Sequence, residues 1–189
     1  NMFVSMGVNF ANKNFNEYME KYRTLPGLFV WYCADEPWRD WDIHRKNYNS
    51  IRATDQNHPV VTVVNMTMHM KNAGPICDIL GCDPYPIPNV SLRNVTDMTE
   101  SAVRATFGLK PVLTILPAYE SKLPTLADLR CMATLAICAG ANGIGIYAWD
   151  DRLYRNGKWT GYYMAEHPDT MKTVTSVIQD ILKIEPILL

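Results

Sequence analysis

Short runs of β-branched and apolar residues alternate with longer amphipathic stretches along the whole chain. Few architectures tolerate that pattern. Most of the short runs lack polar alternation, so both faces of each strand must be covered, and the connections are long enough to be helical. A parallel sheet flanked by helices satisfies both demands. Met2–Val8, Leu28–Ala34, Pro59–Val64, Cys77–Cys82, Pro111–Leu116 and Gly143–Trp149 read as six strands. Asn14–Tyr22, Trp41–Thr54, Thr96–Phe107, Thr125–Ala139 and Asp169–Leu182 read as helices between or after them. Thr125 and Asp128 have the spacing of a capping box. Met66–Ile76 has little helical periodicity and reads as a loop with at most a short helix, and Arg152–Tyr163 reads as a long aromatic loop.

Length and charge narrow the function. At 189 residues with 48% hydrophobic content, the chain supports one sizeable core and reads as a single domain. A net charge of −1 without a basic stripe gives no support for nucleic-acid binding. No apolar run approaches the roughly 20 residues that span a bilayer, so no membrane partner is expected. No basic segment leads into an apolar core at the N-terminus, so no signal peptide is read. The five cysteines are odd in number and mostly lie in apolar runs; they read as small buried hydrophobes. Cys77 and Cys82 lack a second ligand pair at short spacing, and the histidines are scattered, reading as surface residues. No metal and no cofactor is expected.

In folds built of such units the active site lies at the C-terminal ends of the strands. The polar residues there are Asn9, Asp35, Glu36, Asn65, Asp83, Tyr85, Tyr119, Glu120, Trp149, Asp150 and Asp151. The strand starts carry the turn residues Gly27, Pro59, Pro75 and Pro111 instead. Carboxylates, amides and aromatics gathered at one set of ends suit a saccharide, with rings stacking on aromatic faces and polar groups bonding hydroxyls. Glycoside hydrolysis needs two carboxyl groups, one of them protonated. Burial of Glu36 against Trp31, Tyr32 or Trp38 would favour the protonated form. The alternative is that Asp35-Glu36-Pro37 caps the following helix. Asp83, in Asp-Pro-Tyr-Pro, is either a catalytic carboxylate or a turn residue bonding backbone amides. Asn65 either bonds a substrate hydroxyl or caps its loop. Tyr85, Tyr119 and Trp149 read as sugar-facing or packing aromatics, and Trp41 as packing.

At these residues the chain resembles a known family. Asp35-Glu36-Pro37 is similar to the Asn-Glu-Pro or Asp-Glu-Pro ending of strand 4 in the clan of retaining glycosidases built on TIM barrels. The segments 78–86, 110–113 and 139–149 resemble the endings of strands 6, 7 and 8 in uncharacterised bacterial glycosidase-like proteins. The resemblance covers about residues 1–165. It implies an α/β fold, a partial (β/α)8 TIM barrel whose six strands are barrel strands 3 to 8. The chain is then an N-terminally truncated part of a larger barrel, since a complete one takes about 250 residues, or two copies assemble as a homo-oligomer to cover the open edges. The activity implied is a glycoside hydrolase with Glu36 as general acid/base. Asp83 and Glu120 are the further catalytic candidates, and Asp35, Asn65, Tyr85, Tyr119, Trp149 and Asp150 the substrate-binding ones. The compartment stays open, with a secreted or periplasmic parent protein compatible with the resemblance.

One departure bears on catalysis. The clan places its nucleophilic glutamate at the end of strand 7, where this chain carries the apolar Ile115-Leu116-Pro117. Glu120 follows in the loop and has a surface reading as well. Asp83 paired with a more distant Glu36 would suit inversion, which leaves room for water between carboxyls about 6.5–9.5 Å apart. A non-catalytic carbohydrate-binding or degenerate barrel is the alternative function.

Overall fold

The computed structural model describes residues 4–7, 15–119, 123–155 and 157–188. The chain is α/β, with parallel strands alternating with helices as in a partial (β/α)8 barrel. Strands β1 (Val4–Gly7), β2 (Leu28–Asp35), β3 (Val60–Val64), β4 (Ile79–Cys82), β5 (Val112–Pro117) and β6 (Gly143–Tyr147) form one sheet in sequential order. Helices α1 (Phe15–Tyr22), α2 (Trp41–Thr54), α3 (Thr67–Ala73), α4 (Arg93–Ala105), α5 (Leu126–Cys138) and α6 (Pro168–Leu188) connect and follow them. The residues fall into two compact units: Asn1–Cys82 with Glu100–Leu113, and Asp83–Thr99 with Thr114–Leu189.

In the first unit β1 to β4 pair in parallel. Every residue of β3 is buried, which explains its unbroken Val-Val-Thr-Val-Val sequence. Trp31, Met19, Leu28, Cys33, Ile51 and Val60 form a core between β2, β3 and helices α1 and α2. Cys33 has no partner in the β2–β3 register: Tyr32 pairs with Val61, and Ala34 with Thr62. This bulge brings Asp35, rather than Ala34, opposite Val63 and so sets how the end of β2 meets β3.

Asp55 ties these elements together. Only 2% exposed, it follows α2 as its C-cap residue. Its carboxylate accepts a hydrogen bond from Trp31 Nε1 at 2.9 Å and from the Asn57 and His58 amides at 2.9 and 3.3 Å. His58 Nδ1 lies 2.7 Å from the same carboxylate. A second polar knot joins α2 to β4: Tyr48 donates to Asp78 at 2.8 Å, and Asp78 accepts from the Val60 amide at 2.9 Å. Lys110 donates to the carbonyls of Gly74 and Cys77, both at 2.7 Å.

The second unit is built around Leu116, Leu129, Met132, Ala133, Ala136 and Val177, where α5 and α6 pack beside β5. The capping box at the start of α5 forms as its sequence predicts: Thr125 Oγ1 accepts from the Asp128 amide, and the Asp128 carboxylate accepts from the Thr125 amide, each at 3.1 Å. Arg130 of α5 pairs with Asp180 of α6 at 2.8 Å. No helix among the described residues is long and apolar enough to cross a membrane.

Two segments depart from expectation. The link between β3 and β4 is helical over most of its length, as α3 and then a single 3-10 turn at Gly74–Ile76. Met70, Ala73 and Ile76 supply its buried contacts, a three-residue spacing too sparse to stand out in the sequence. The aromatic loop after β6 contains an antiparallel hairpin, β7 (Leu153–Arg155) and β8 (Lys158–Thr160), with Gly157 in the turn at φ 77.

Asp55→Ala is expected to lower unfolding free energy by about 3 kcal/mol in urea titrations, because Trp31 and two amides lose a buried acceptor. Burial alone would raise the Asp55 carboxyl, but the bonds from Trp31, His58 and the two amides outweigh it and hold the group below its ordinary value. Its contribution is therefore complete above the unfolded-state value and is lost as pH falls through the lower folded one. The wild type should accordingly lose more stability than Asp55→Ala on acidification below about pH 4. Gly74→Ala would set a Cβ 2.5 Å from the Ala105 carbonyl oxygen. Thermal melts should show it destabilised by about 1–3 kcal/mol.

Candidate active site

Glu36 and Asn65 stand directly after the adjacent strands β2 and β3. The ladder continues one step past Asp35, with the Glu36 amide donating to the Val63 carbonyl at 2.9 Å. Glu36 then takes φ 44, a left-handed conformation that costs a residue with a side chain of order 1 kcal/mol or more. Asn65 Nδ2 donates to Glu36 Oε2 at 2.7 Å. Tyr32 donates to Asp35 Oδ1 at 2.8 Å. Two carboxylates are thus held at the end of one strand, each by a neutral donor, with Glu36 solvent-exposed.

Two expectations for Glu36 are corrected. Helix α2 starts at Trp41 with Asp40 as its N-cap residue, so neither Asp35 nor Glu36 caps it. Trp31 and Trp38 do not bury Glu36. Trp31 is enclosed in the core and bonded to Asp55, while Trp38 is 63% exposed beneath the Arg39 guanidinium. Trp41 packs between His44 and His69, with ring centroids 5.9 and 5.8 Å away.

In the second unit an aromatic cluster follows β4, β5 and β6. Tyr119 meets Tyr85 and Tyr147 edge-on, at 5.9 and 4.9 Å between centroids, while Tyr85 and Tyr147 stack at 6.2 Å. Asp83, directly after β4, is buried at 6% exposure. Trp149 is 53% exposed and stands perpendicular to Tyr163. Asp150 is not an open ligand. Arg152 donates to both its oxygens, at 2.8 and 2.7 Å, and holds its carboxyl down at about 2. The guanidinium also lies 3.8 Å from the centroid of the Tyr163 ring. Glu120 lies outside the described residues, as does Asn9.

No protein-family model matches the chain, and no curated protein matches it. Solved structures do. A provisionally named alpha-L-fucosidase from Bacteroides thetaiotaomicron matches 86% of this chain with a TM-score of 0.60 and 8% identity. A truncated 3-deoxy-D-arabino-heptulosonate 7-phosphate synthase from Thermotoga maritima matches 90%, at TM-score 0.55 and 14% identity. A beta-glucuronidase from an uncultured Clostridium species matches 91%, at TM-score 0.53 and 11% identity. The likeness shows the fold alone. The chain spans 60% of the first two solved chains and 38% of the third.

Other reactive groups are placed elsewhere. Burial pushes the Cys33 and Cys77 thiols up to about 12, which removes them as nucleophiles near neutral pH. Cys82 is buried as expected, but Cys131 and Cys138 are exposed on α5, against the reading of all five as core residues. Among the described residues no three His, Cys, Asp or Glu side chains come together as metal ligands. A cavity of about 250 Å³ lies at the start of β6, lined by Asn142, Gly143, Ile144, Ile181 and Glu185. It belongs to the strand's opposite end from Tyr147. Tyr147 and Arg152 are the site residues that the sequence reading passed over, while Tyr32 entered it only as a packing partner for Glu36. Tyr147 was discoverable, because it ends a strand; the Arg152 pairing was signalled by its place two residues after Asp150.

Removing the guanidinium tests the second cluster. In Arg152→Ala the Asp150 carboxyl should rise from about 2 toward the ordinary aspartate range, so that it takes up a proton at higher pH than in the wild type. Side-chain carboxyl NMR titration reads the change; an unmoved value would mean that Arg152 does not hold Asp150 ionised.

Proposed function

We propose that this protein is a glycoside hydrolase acting on an oligo- or polysaccharide, with Glu36 as general acid/base. The observation that carries the reading is the Asn65–Glu36 hydrogen bond of 2.7 Å at the ends of two adjacent strands. It fixes a carboxyl group that serves no helix cap, is open to solvent and is held in a costly backbone conformation. Strain of that kind collects at functional sites. In this role Glu36 protonates the departing glycosidic oxygen and afterwards takes a proton from the incoming water. Asn65 orients the carboxyl, and Asp35 is proposed to bond substrate hydroxyls. Tyr85, Tyr119 and Trp149 are proposed to offer ring faces to sugar. Solved structures named for glycosidases share the fold, as does the heptulosonate phosphate synthase. The strand ends favour the glycosidase reading, because neither β2, β3, β4, β5 nor β6 ends on a lysine for Schiff-base chemistry. The proposal includes the chain's place as strands 3 to 8 of a larger barrel.

A non-catalytic carbohydrate-binding barrel is the second reading. Ile115-Leu116-Pro117, at the end of β5, are apolar, with Leu116 wholly buried, and leave no carboxylate where the resembled clan has its nucleophile. Asp83 and Glu120 are the proposed second carboxyls. Glu36→Gln should reduce kcat/KM on unactivated glycosides by about 10²- to 10⁴-fold, with far less loss on aryl glycosides whose leaving group needs no proton. Unchanged turnover in a folded Glu36→Gln protein would sink the assignment. The second carboxyl is the one of Asp83→Asn and Glu120→Gln whose loss abolishes turnover of the activated substrates too. Saccharide binding without hydrolysis by the wild type decides for the second reading.

A further inference from the structure

We infer that the sugar at the cleavage point carries a 2-acetamido group trans to its glycosidic bond, and that this group supplies the nucleophile while Asp35 holds its N–H. The inference rests on the glycosidase reading above, with Glu36 as acid/base, and names the substrate class within it.

The observation behind it is a pair of consecutive, separately oriented carboxylates. Asp35 and Glu36 are both exposed at the end of β2. Tyr32 donates to Asp35 Oδ1 at 2.8 Å, and Asn65 Nδ2 donates to Glu36 Oε2 at 2.7 Å. All four residues belong to the first unit. In a regular strand Tyr32 and Asp35 would point to opposite faces, as would Asp35 and Glu36. Two departures from regularity change that. The Cys33 bulge adds one residue between Tyr32 and Asp35, and phenol and carboxylate meet on one side. Glu36 then leaves the extended region at φ 44, so strict alternation ends at Asp35.

Two protein carboxyls that share the acid/base and nucleophile roles must flank the anomeric carbon, about 5–5.5 Å apart. Carboxyls on consecutive residues, with Cα atoms about 3.8 Å apart, approach from the same strand end. They suit neighbouring positions on one sugar instead. Next to the glycosidic oxygen that Glu36 protonates is the substituent on C2. An acetamide there offers an N–H to the Asp35 carboxylate and a carbonyl oxygen that reaches C1 from the face opposite the leaving group. Ile115-Leu116-Pro117, where the resembled clan carries its nucleophile, hold no carboxyl. The role proposed above for Asp83 or Glu120 then falls to the substrate itself.

The step balances. Glu36 gives its proton to the departing oxygen as the bond from C1 breaks, and the amide oxygen bonds to C1, closing a five-membered oxazolinium ring. The positive charge lies on the group whose N–H the Asp35 carboxylate accepts, which stabilises it. Water then adds at C1 from the original face and gives its proton to Glu36, while the ring opens back to the acetamide. The net change is hydrolysis with retention. Because the amide attacks opposite the leaving group, only 1,2-trans glycosides react.

The test measures kcat and kcat/KM of the full chain on 4-nitrophenyl glycosides of N-acetylglucosamine and N-acetylgalactosamine, both anomers, beside the matching glucosides and galactosides. A second series replaces the acetyl group of the N-acetylglucosaminide by mono-, di- and trifluoroacetyl. The β-linked acetamido sugars should be preferred over their 2-hydroxy counterparts by about 10²-fold or more. Their kcat should fall along the fluorinated series, as the carbonyl oxygen loses nucleophilicity. Asp35→Asn should lower kcat on them by about 10²- to 10³-fold. Glucosides or galactosides cleaved as fast as the acetamido sugars, or a rate indifferent to fluorination, would overturn the inference while leaving the hydrolase reading intact. Both readouts use the wild type and stand whether or not Asp35→Asn folds. No turnover of any member would overturn both.

Discussion

Asp55 is a carboxylate removed from water, and such a group persists only when donors surround it. Its donors come from three places: the indole of Trp31 in the middle of β2, the amides of Asn57 and His58 in the turn after α2, and the His58 ring. The turn leads directly into β3. One buried charge thereby fixes the sliding position of β2, the end of α2 and the entry of β3. Everything at the far ends of those strands inherits that alignment. The Cys33 bulge then adds one residue to β2, and the Glu36 amide finds the Val63 carbonyl. With the strand starts and the register both set, Glu36 and Asn65 stand within hydrogen-bond reach without any direct constraint of their own beyond one ladder bond.

This division of labour explains why the acidic groups of the first unit have such different characters. Asp55 and Asp78 bond buried or half-buried donors and hold elements together. Asp35 and Glu36 sit exposed at the end of a strand, each bonded to one neutral donor among the described residues. A carboxylate saturated by intramolecular donors has little left to give to a substrate. A carboxylate that is oriented by one donor and otherwise open can exchange protons and bond hydroxyls. The same contrast separates Asp150, saturated by Arg152, from the groups proposed to meet sugar.

Much of the framework was legible because burial on both faces leaves a clear record. The runs at Leu28, Pro59 and Pro111 are apolar apart from Thr62 and Thr114, and the strands lie where those runs are. Helix α2 occupies the residues expected of it, and the α5 cap was written in Thr125 and Asp128. Helix α3 was not legible, since only Met70 and Ala73 within it are buried and two positions make no periodicity. The hairpin after β6 was hidden by its aromatic content, although the Asn156-Gly157 dipeptide is a turn signal. At the site, Glu36 and Asn65 each stood out as strand-end residues. Their hydrogen bond, across a separation of 29 residues, depends on a register that includes a bulge, and no local pattern encodes that. Asp55 escaped for the same reason, because Trp31, its indole donor, lies 24 residues away.

The end of β5 carries the greatest consequence for function. Retention through a protein nucleophile asks for a carboxylate about 5–5.5 Å from the acid/base, able to reach an anomeric carbon. Leu116 and Ala118 are fully buried and packed in the core around Leu129 and Met132. A glutamate at either position would carry an unpaired charge into apolar surroundings and destabilise the α5–α6 packing. Leu116 and Ala118 are therefore part of the core. If this chain hydrolyses glycosides, the second group must come from another position, and the chemistry is then inversion through a more distant carboxyl, retention through a loop residue, or retention through the substrate's own acetamide. The identity of that group, more than the standing of Glu36, is what separates an enzyme from a binding protein on this fold.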